Sequence, residues 1–281
     1  MTAKAAKSIG AAAAVLVLLA TAGCASGFAP DAHTPAAPPA AAGRQADPEA
    51  AALELSLDAL AAERDADFSV AVLDNGSGES WSYNSGGRYL EASLVKVPIL
   101  LTLIREATED GRSLTEEEEA LASRMIEFSD NEATSELYAL LGGRPALSRT
   151  YELIGVTDTE AGEMWGATET SAADQLRIIR TAACGADWLD PDLLDYAVSL
   201  MRNVCTEQSW GITAGAGEAE VALKNGWLQD DDAAWNVGSA GFVQGGEKDY
   251  SLVVLSARNT TLDDGIDTVE AVAALVNGYR R

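Results

Sequence analysis

The chain has 281 residues, 44 Asp and Glu against 19 Lys and Arg, and a formal charge of −25. Such acidity excludes phosphate-led nucleic-acid binding and charge-led adhesion to anionic lipid, since both need the opposite sign. The single histidine, His33, stands in an Ala/Pro-rich stretch, so a folded domain that follows has no Ser-His-Asp triad, Cys-His pair or histidine metal site.

The chain opens with Lys4 and Lys7 before an apolar run at residues 11–20, then Thr21, Ala22, Gly23 and Cys24. A basic start, a short apolar stretch and small residues before a cut describe an export signal, too short to span a bilayer comfortably. The last four residues resemble a bacterial lipobox, which predicts a lipidated Cys24 and a protein held at the extracellular face of the cell membrane, or secreted. Residues 25–47, with Pro30, Pro35, Pro38 and Pro39 among alanines, read as an extended tether. Residues 48–281 are long enough for one globular domain. An oxidising compartment permits a disulfide between the remaining cysteines, Cys184 and Cys205, with separate buried thiols as the alternative.

Within that domain, residues 49–64 carry Leu53, Leu55, Leu57 and Leu60 among alanines and predict a helix. Residues 68–74 alternate Val70 and Val72 with smaller neighbours, and Asn75-Gly76 turns the chain into residues 80–84, a hairpin. Ser93 is expected to cap an apolar helix running to Ile104. Helical patterns follow at residues 114–128, 132–141, 145–154, 172–183 and 191–202. After Gly211 the period changes: residues 220–228, 233–242 and 250–257 read as strands, and residues 262–279 as a closing helix. Strands, a helical insert and strands again, with a helix at each end, predict an α+β fold: an antiparallel sheet flanked by N- and C-terminal helices plus an all-helical lobe.

Three short motifs carry the chemistry. Beyond the leader only Lys96, Lys224 and Lys248 remain as lysines, and two of them lie in motifs. Ser93 and Lys96 are three residues apart, one turn of helix, where a desolvated neutral lysine can take the serine proton. Ser129-Asp130-Asn131 falls between two helices, where Ser129 can pass a proton to a leaving nitrogen and Asn131 can hold a substrate amide or Lys96, with Asp130 buttressing the loop. Lys224-Asn225-Gly226 falls in a strand, offering a charge for a carboxylate and a glycine that permits close backbone approach.

These residues resemble the serine penicillin-recognising superfamily, in particular class A β-lactamases, whose set is Ser-x-x-Lys, Ser-Asp-Asn and Lys-Thr-Gly. The segment Met125 to Thr134 and the threonine-rich stretch Thr168 to Ala173 extend the likeness, which covers residues 53–281. Trp165-Gly166 and residues 208–211 are similar to features of shorter actinobacterial relatives, with the tryptophans read as cover for the helical lobe. The resemblance implies acylation at Ser93 with Lys96 as base and Ser129 as proton donor. It places Asn131, Lys224, Asn225, Gly226 and Trp227 on the substrate, with the Ser93 and Trp227 N–H groups as the oxyanion hole. It implies a β-lactam or peptidoglycan-type substrate, no metal, no cofactor and a monomer. It leaves a DD-peptidase and a slowly deacylating sensor or sink as alternatives. The stretch from Lys96 to Ser129 is short, Asn225 replaces the usual Thr, and the Glu-x-x-Leu-Asn signature that activates the deacylating water is absent. Glu160, Glu163 and Glu169 occupy the corresponding region.

Overall fold

Alternate residues of the central strands face two different cores, and this organises the molecule. The computed structural model describes residues 48–246 and 248–279; the expected export signal, Cys24 and the tether lie outside them. Strands β1 (Asp67–Asp74), β2 (Ser80–Tyr83), β5 (Glu220–Gln229), β6 (Trp235–Gly245) and β7 (Lys248–Asn259) form one antiparallel sheet in the order β2-β1-β7-β6-β5. Val70 and Val72 of β1, with Leu252 and Val254 of β7, pack under α1 (Pro48–Arg64) and α8 (Leu262–Tyr279). Ala71, Val253 and Leu255 belong to the core of the helical lobe on the other face. The period of two in the strands thus serves both faces at once.

The helical lobe is inserted between β2 and β5. Its central helix, α2 (Lys96–Glu109), buries Ile99, Leu100, Leu101, Leu103 and Ile104, and its wide apolar surface suits a helix surrounded by others. Each fully buried aliphatic side chain of this kind contributes roughly 1.5–3 kcal/mol. Around α2 stand α3 (Glu116–Glu127), α4 (Asn131–Leu140), α5 (Arg144–Ile154), α6 (Ala172–Cys184) and α7 (Pro191–Arg202). Their starts are fixed locally: Thr115 and Glu118 form a reciprocal capping box on α3, while Asp130, Ser171 and Asp190 cap α4, α6 and α7.

Two features differ from the sequence expectation. Ser93 does not cap a helix. It lies in a 3-10 turn, Ala92–Val95, and α2 starts after it, with Val95 at the cap position and no side-chain cap bond. A second, two-stranded sheet pairs β3 (Tyr89–Leu90) with β4 (Glu169–Thr170), joining the segment before Ser93 to the one before α6.

Candidate active site

The turn that carries Ser93 is built by backbone contacts. Ala92 has φ +48°, a left-handed conformation that costs a side chain energy and persists only where its surroundings impose it. Those surroundings are two backbone neighbours. The strap of residues 155–171, between α5 and α6, bonds to the turn through Ala92 N–H to Gly166 O at 2.9 Å and Glu91 N–H to Thr168 O at 2.9 Å. On the other side Gly226 of β5 comes so close that a Cβ there would stand 2.9 Å from both the Ser93 and Leu94 nitrogens. Among the described residues, no hydrogen bond engages the Ser93 hydroxyl or its N–H, and the side chain is partly exposed.

Lys96 follows one turn later with its side chain buried. Its Nζ donates to Ser129 O at 2.7 Å and Asn131 Oδ1 at 2.8 Å, and lies 3.0 Å from Ser129 Oγ. Burial lowers its pKa to about 7, against the opposing charge of Asp130. The Trp165 ring covers it, with Nζ 5.1 Å from the ring centroid, and the indole N–H is held by Ser135 Oγ at 3.1 Å. The first two motifs therefore meet at one nitrogen.

The loop that carries Ser129 is held open by its neighbour. Ser129 has φ +55°. Asp130 Oδ1 accepts from the N–H groups of Glu132 and Ala133 at 2.8 and 3.0 Å, and Oδ2 from Arg124 at 2.7 Å. The backbone donors at the start of α4, then Arg124, hold this carboxyl below the usual range.

Lys224 and Asn225 come to the same place from β5, but both are fully buried. Among the described residues Lys224 Nζ makes one hydrogen bond, to Asn225 O at 2.8 Å. Burial drives its pKa well down, and the charge of Lys96 adds to this, with Cys205 opposing. Asn225 Nδ2 donates to Gln208 O at 2.8 Å and Trp210 O at 3.2 Å. Trp227 packs on Trp210, ring centroids 5.9 Å apart.

The strap places none of its glutamates at Lys96. Glu160, Glu163 and Glu169 are exposed; Glu163 pairs with Arg144 at 3.0 Å, and Glu169 sits in β4 opposite Leu90. Two carboxyls outside the motifs hold the strap instead. Asp174 is buried on α6 and accepts from Thr157 N–H, Asp158 N–H, Thr159 Oγ1 and Arg177. Glu91, also buried, accepts from Tyr151 OH at 2.8 Å, Gln175 Nε2 at 3.1 Å and Thr168 Oγ1 at 3.3 Å. Burial raises its pKa to about 7, while these three donors hold it down. Sequence reasoning passed over Glu91; the signal was a single acid inside the apolar run from Tyr89 to Leu101.

The expected disulfide is not formed. Cys184 ends α6, exposed, and Cys205 precedes a 3-10 turn at Thr206–Gln208, so two separate elements present them as free thiols. No group of three or more His, Cys, Asp and Glu able to hold a metal occurs among the described residues.

Three motifs converging on one serine turn, between a helical lobe and an antiparallel sheet, define the serine penicillin-recognising fold. The chain belongs to the beta-lactamase enzyme family, whose model matches residues 52–119 and 118–279. It is 28% identical over 222 residues to "Putative lipoprotein LppW" of Mycobacterium tuberculosis, covering 76% of this chain and 67% of the relative. In structure it is similar to a beta-lactamase from Chitinophaga pinensis, with TM-score 0.72, 16% identity and coverage of 82% of this chain and 100% of that one. It is also similar to PBP-A, with TM-score 0.71, 22% identity and coverage of 81% and 95%. Among the described residues no helix is long and apolar enough to cross a membrane.

Proposed function

We propose that this protein is a serine hydrolase that opens a β-lactam or related D-alanyl amide through an acyl-enzyme at Ser93, exported and anchored by lipid at Cys24. The observation that carries the reading is the coordination of Lys96. A neutral amine has two N–H groups and one lone pair. The two shortest contacts, to Ser129 O and Asn131 Oδ1, use the N–H groups, which leaves the lone pair for a hydroxyl proton.

The reaction then runs in three proton transfers. Ser93 Oγ attacks the carbonyl carbon and its proton passes to Lys96 Nζ, through a hydrogen bond that would form with substrate in place. The oxyanion is held by the N–H groups of Ser93 and Trp227, and loss of one such donor costs about 2.7–4 kcal/mol. The C–N bond breaks, its electron pair stays on nitrogen, and that nitrogen takes the Ser129 proton. Lys96 returns its proton to Ser129, so lysine and serine end as they began. The name of the mycobacterial relative supports the anchor.

A second reading, a binder that stays acylated, is favoured by the strap: the face of Lys96 that needs a carboxylate to activate water carries the Trp165 ring. Time-resolved mass spectrometry of wild type and Ser93→Ala with benzylpenicillin tests both. An adduct on wild type alone supports acylation at Ser93, and its decay separates turnover from capture. The absence of any adduct on wild type would remove β-lactams as substrates.

A further inference from the structure

The two buried carboxyls that hold the strap are joined to each other. Gln175 donates one N–H to Glu91 Oε1 at 3.1 Å and the other to Thr170 Oγ1 at 3.0 Å. Thr170 and Thr159 share a hydrogen bond at 2.9 Å, and Thr159 donates to Asp174 Oδ2 at 3.0 Å. Every member of this chain is buried, with one carboxyl at each end.

The two ends differ in charge balance. Asp174 has the Arg177 guanidinium at 2.6 Å and the backbone N–H groups of Thr157 and Asp158. Glu91 has donors but no cation: Tyr151 from α5, Gln175 from α6 and Thr168 from the strap, with Asp174 and Tyr138 of α4 facing it beyond them. Arg88 is spent on Asp158, and Lys96 turns to Ser129 and Asn131. A buried carboxylate without a cation is costly, and a second negative charge on the same chain adds to the cost. Glu91 is the end that keeps its proton, consistent with burial raising its pKa to about 7.

Glu91 also grips the strap twice at Thr168, three residues from Trp165. Its N–H donates to Thr168 O at 2.9 Å, and its carboxyl meets Thr168 Oγ1 at 3.3 Å. Once ionised and without a cation, the carboxylate has to be reached by water. The strap is the wall that can give: its regular structure is the two residues of β4, whereas Tyr151 and Gln175 stand in helices.

We propose that Glu91 is a positioning residue worked by its proton: protonated, it seats the strap and keeps Trp165 over Lys96, and ionised, it lets the strap lift. The lifting stands apart from catalysis. Its consequence, a shorter life for an acyl group on Ser93 as pH rises, rests on the acyl-enzyme reading.

Hydrogen exchange of the full chain reads the strap without any substrate. The Glu91 and Ala92 amides, which bond to the strap, and those of residues 155–171 are followed at pH 6 and pH 8, each rate divided by its intrinsic chemical rate. With half-ionisation at about 7, the ionised share rises about tenfold between those pH values, and wild type is expected to lose protection by about that factor. Glu91→Gln, which keeps the bonds and cannot ionise, is expected to stay protected at both. Equal protection of wild type at both pH values overturns the proposal, and so does an equal loss in Glu91→Gln. Adduct decay with benzylpenicillin reads the consequence: about tenfold faster at pH 8 than at pH 6 in wild type, and less than about threefold in Glu91→Gln. The same rise in both proteins overturns the role given to Glu91. Thr168→Val, which removes the carboxyl's grip alone, is expected to bring decay at pH 6 toward the wild-type value at pH 8; unchanged decay counts against that grip. If no adduct forms, the hydrolase reading falls, and exchange alone decides the strap.

Discussion

Lys96 and Lys224 are both excluded from solvent, yet Lys96 Nζ meets three oxygens of Ser129 and Asn131, while among the described residues Lys224 Nζ bonds only to the carbonyl beside it. Burial depresses both pKa values. Desolvation alone therefore does not make a base of a lysine; on the proposed reading its lone pair must also be aimed, and among the described residues only the second motif surrounds a lysine with the oxygens to do so. The same contrast separates the two halves of the proposed reaction. The residues proposed to form an acyl-enzyme are tightly placed, and the strap beside them presents an indole to Lys96.

The comparison breaks most sharply by substitution. Lys96→Met is expected to cut the rate of adduct formation with benzylpenicillin by about a thousandfold, within the range of general-base loss. Lys224→Met is expected to cost about tenfold or less. Equal losses would erase the distinction between the lysines. The next test is pH: with the base form of Lys96 populated above about 7, acylation is expected to rise about tenfold per unit below that value and to level above it. A flat profile from pH 5 to 8 would remove Lys96 as the base.

Trp165→Ala sharpens the contrast between the two halves. Opening that face to water is expected to raise the decay rate of the adduct about tenfold, with Trp165→Phe close to wild type because it keeps a ring over Lys96. Unchanged decay in Trp165→Ala would mean that the ring does not set the lifetime.

The smallest effect concerns stability. Glu91 has its pKa raised to about 7 in the fold, so the native state holds more protons than the unfolded chain between 4.5 and that value. Its contribution is full below pH 4.5 and is lost as pH rises through about 7, a change on the order of 3 kcal/mol. Glu91→Gln, which can keep its bonds to Tyr151, Gln175 and Thr168, is expected to flatten that slope in denaturant melts across pH 4 to 8.

Much of the fold is legible in the sequence because its elements are long and periodic: α1, the hairpin, the helices of the lobe and the three late strands all follow the apolar pattern. The pairing of β3 with β4 is not, since two residues a side carry no period. The motifs locate Lys96, Ser129 and Asn131, which the structure joins at one nitrogen. Ser93 as a cap misleads, because serine before an apolar run normally marks a helix start, and here tertiary contacts force a 3-10 turn ahead of it. Trp165 reads as lobe cover from sequence; that its ring lies on Lys96 depends on where the strap crosses, which spacing does not encode.

Gly166 and Gly226 both press on the turn that carries Ser93, and a methyl group on either would strike backbone at 2.9 Å. The position of Ser93 is therefore gauged by two bare main chains. Side chains elsewhere in the site could change without moving the Ser93 oxygen. The two glycines cannot: any descendant that keeps this turn has to keep both of them unsubstituted, or rebuild the strap and the strand together.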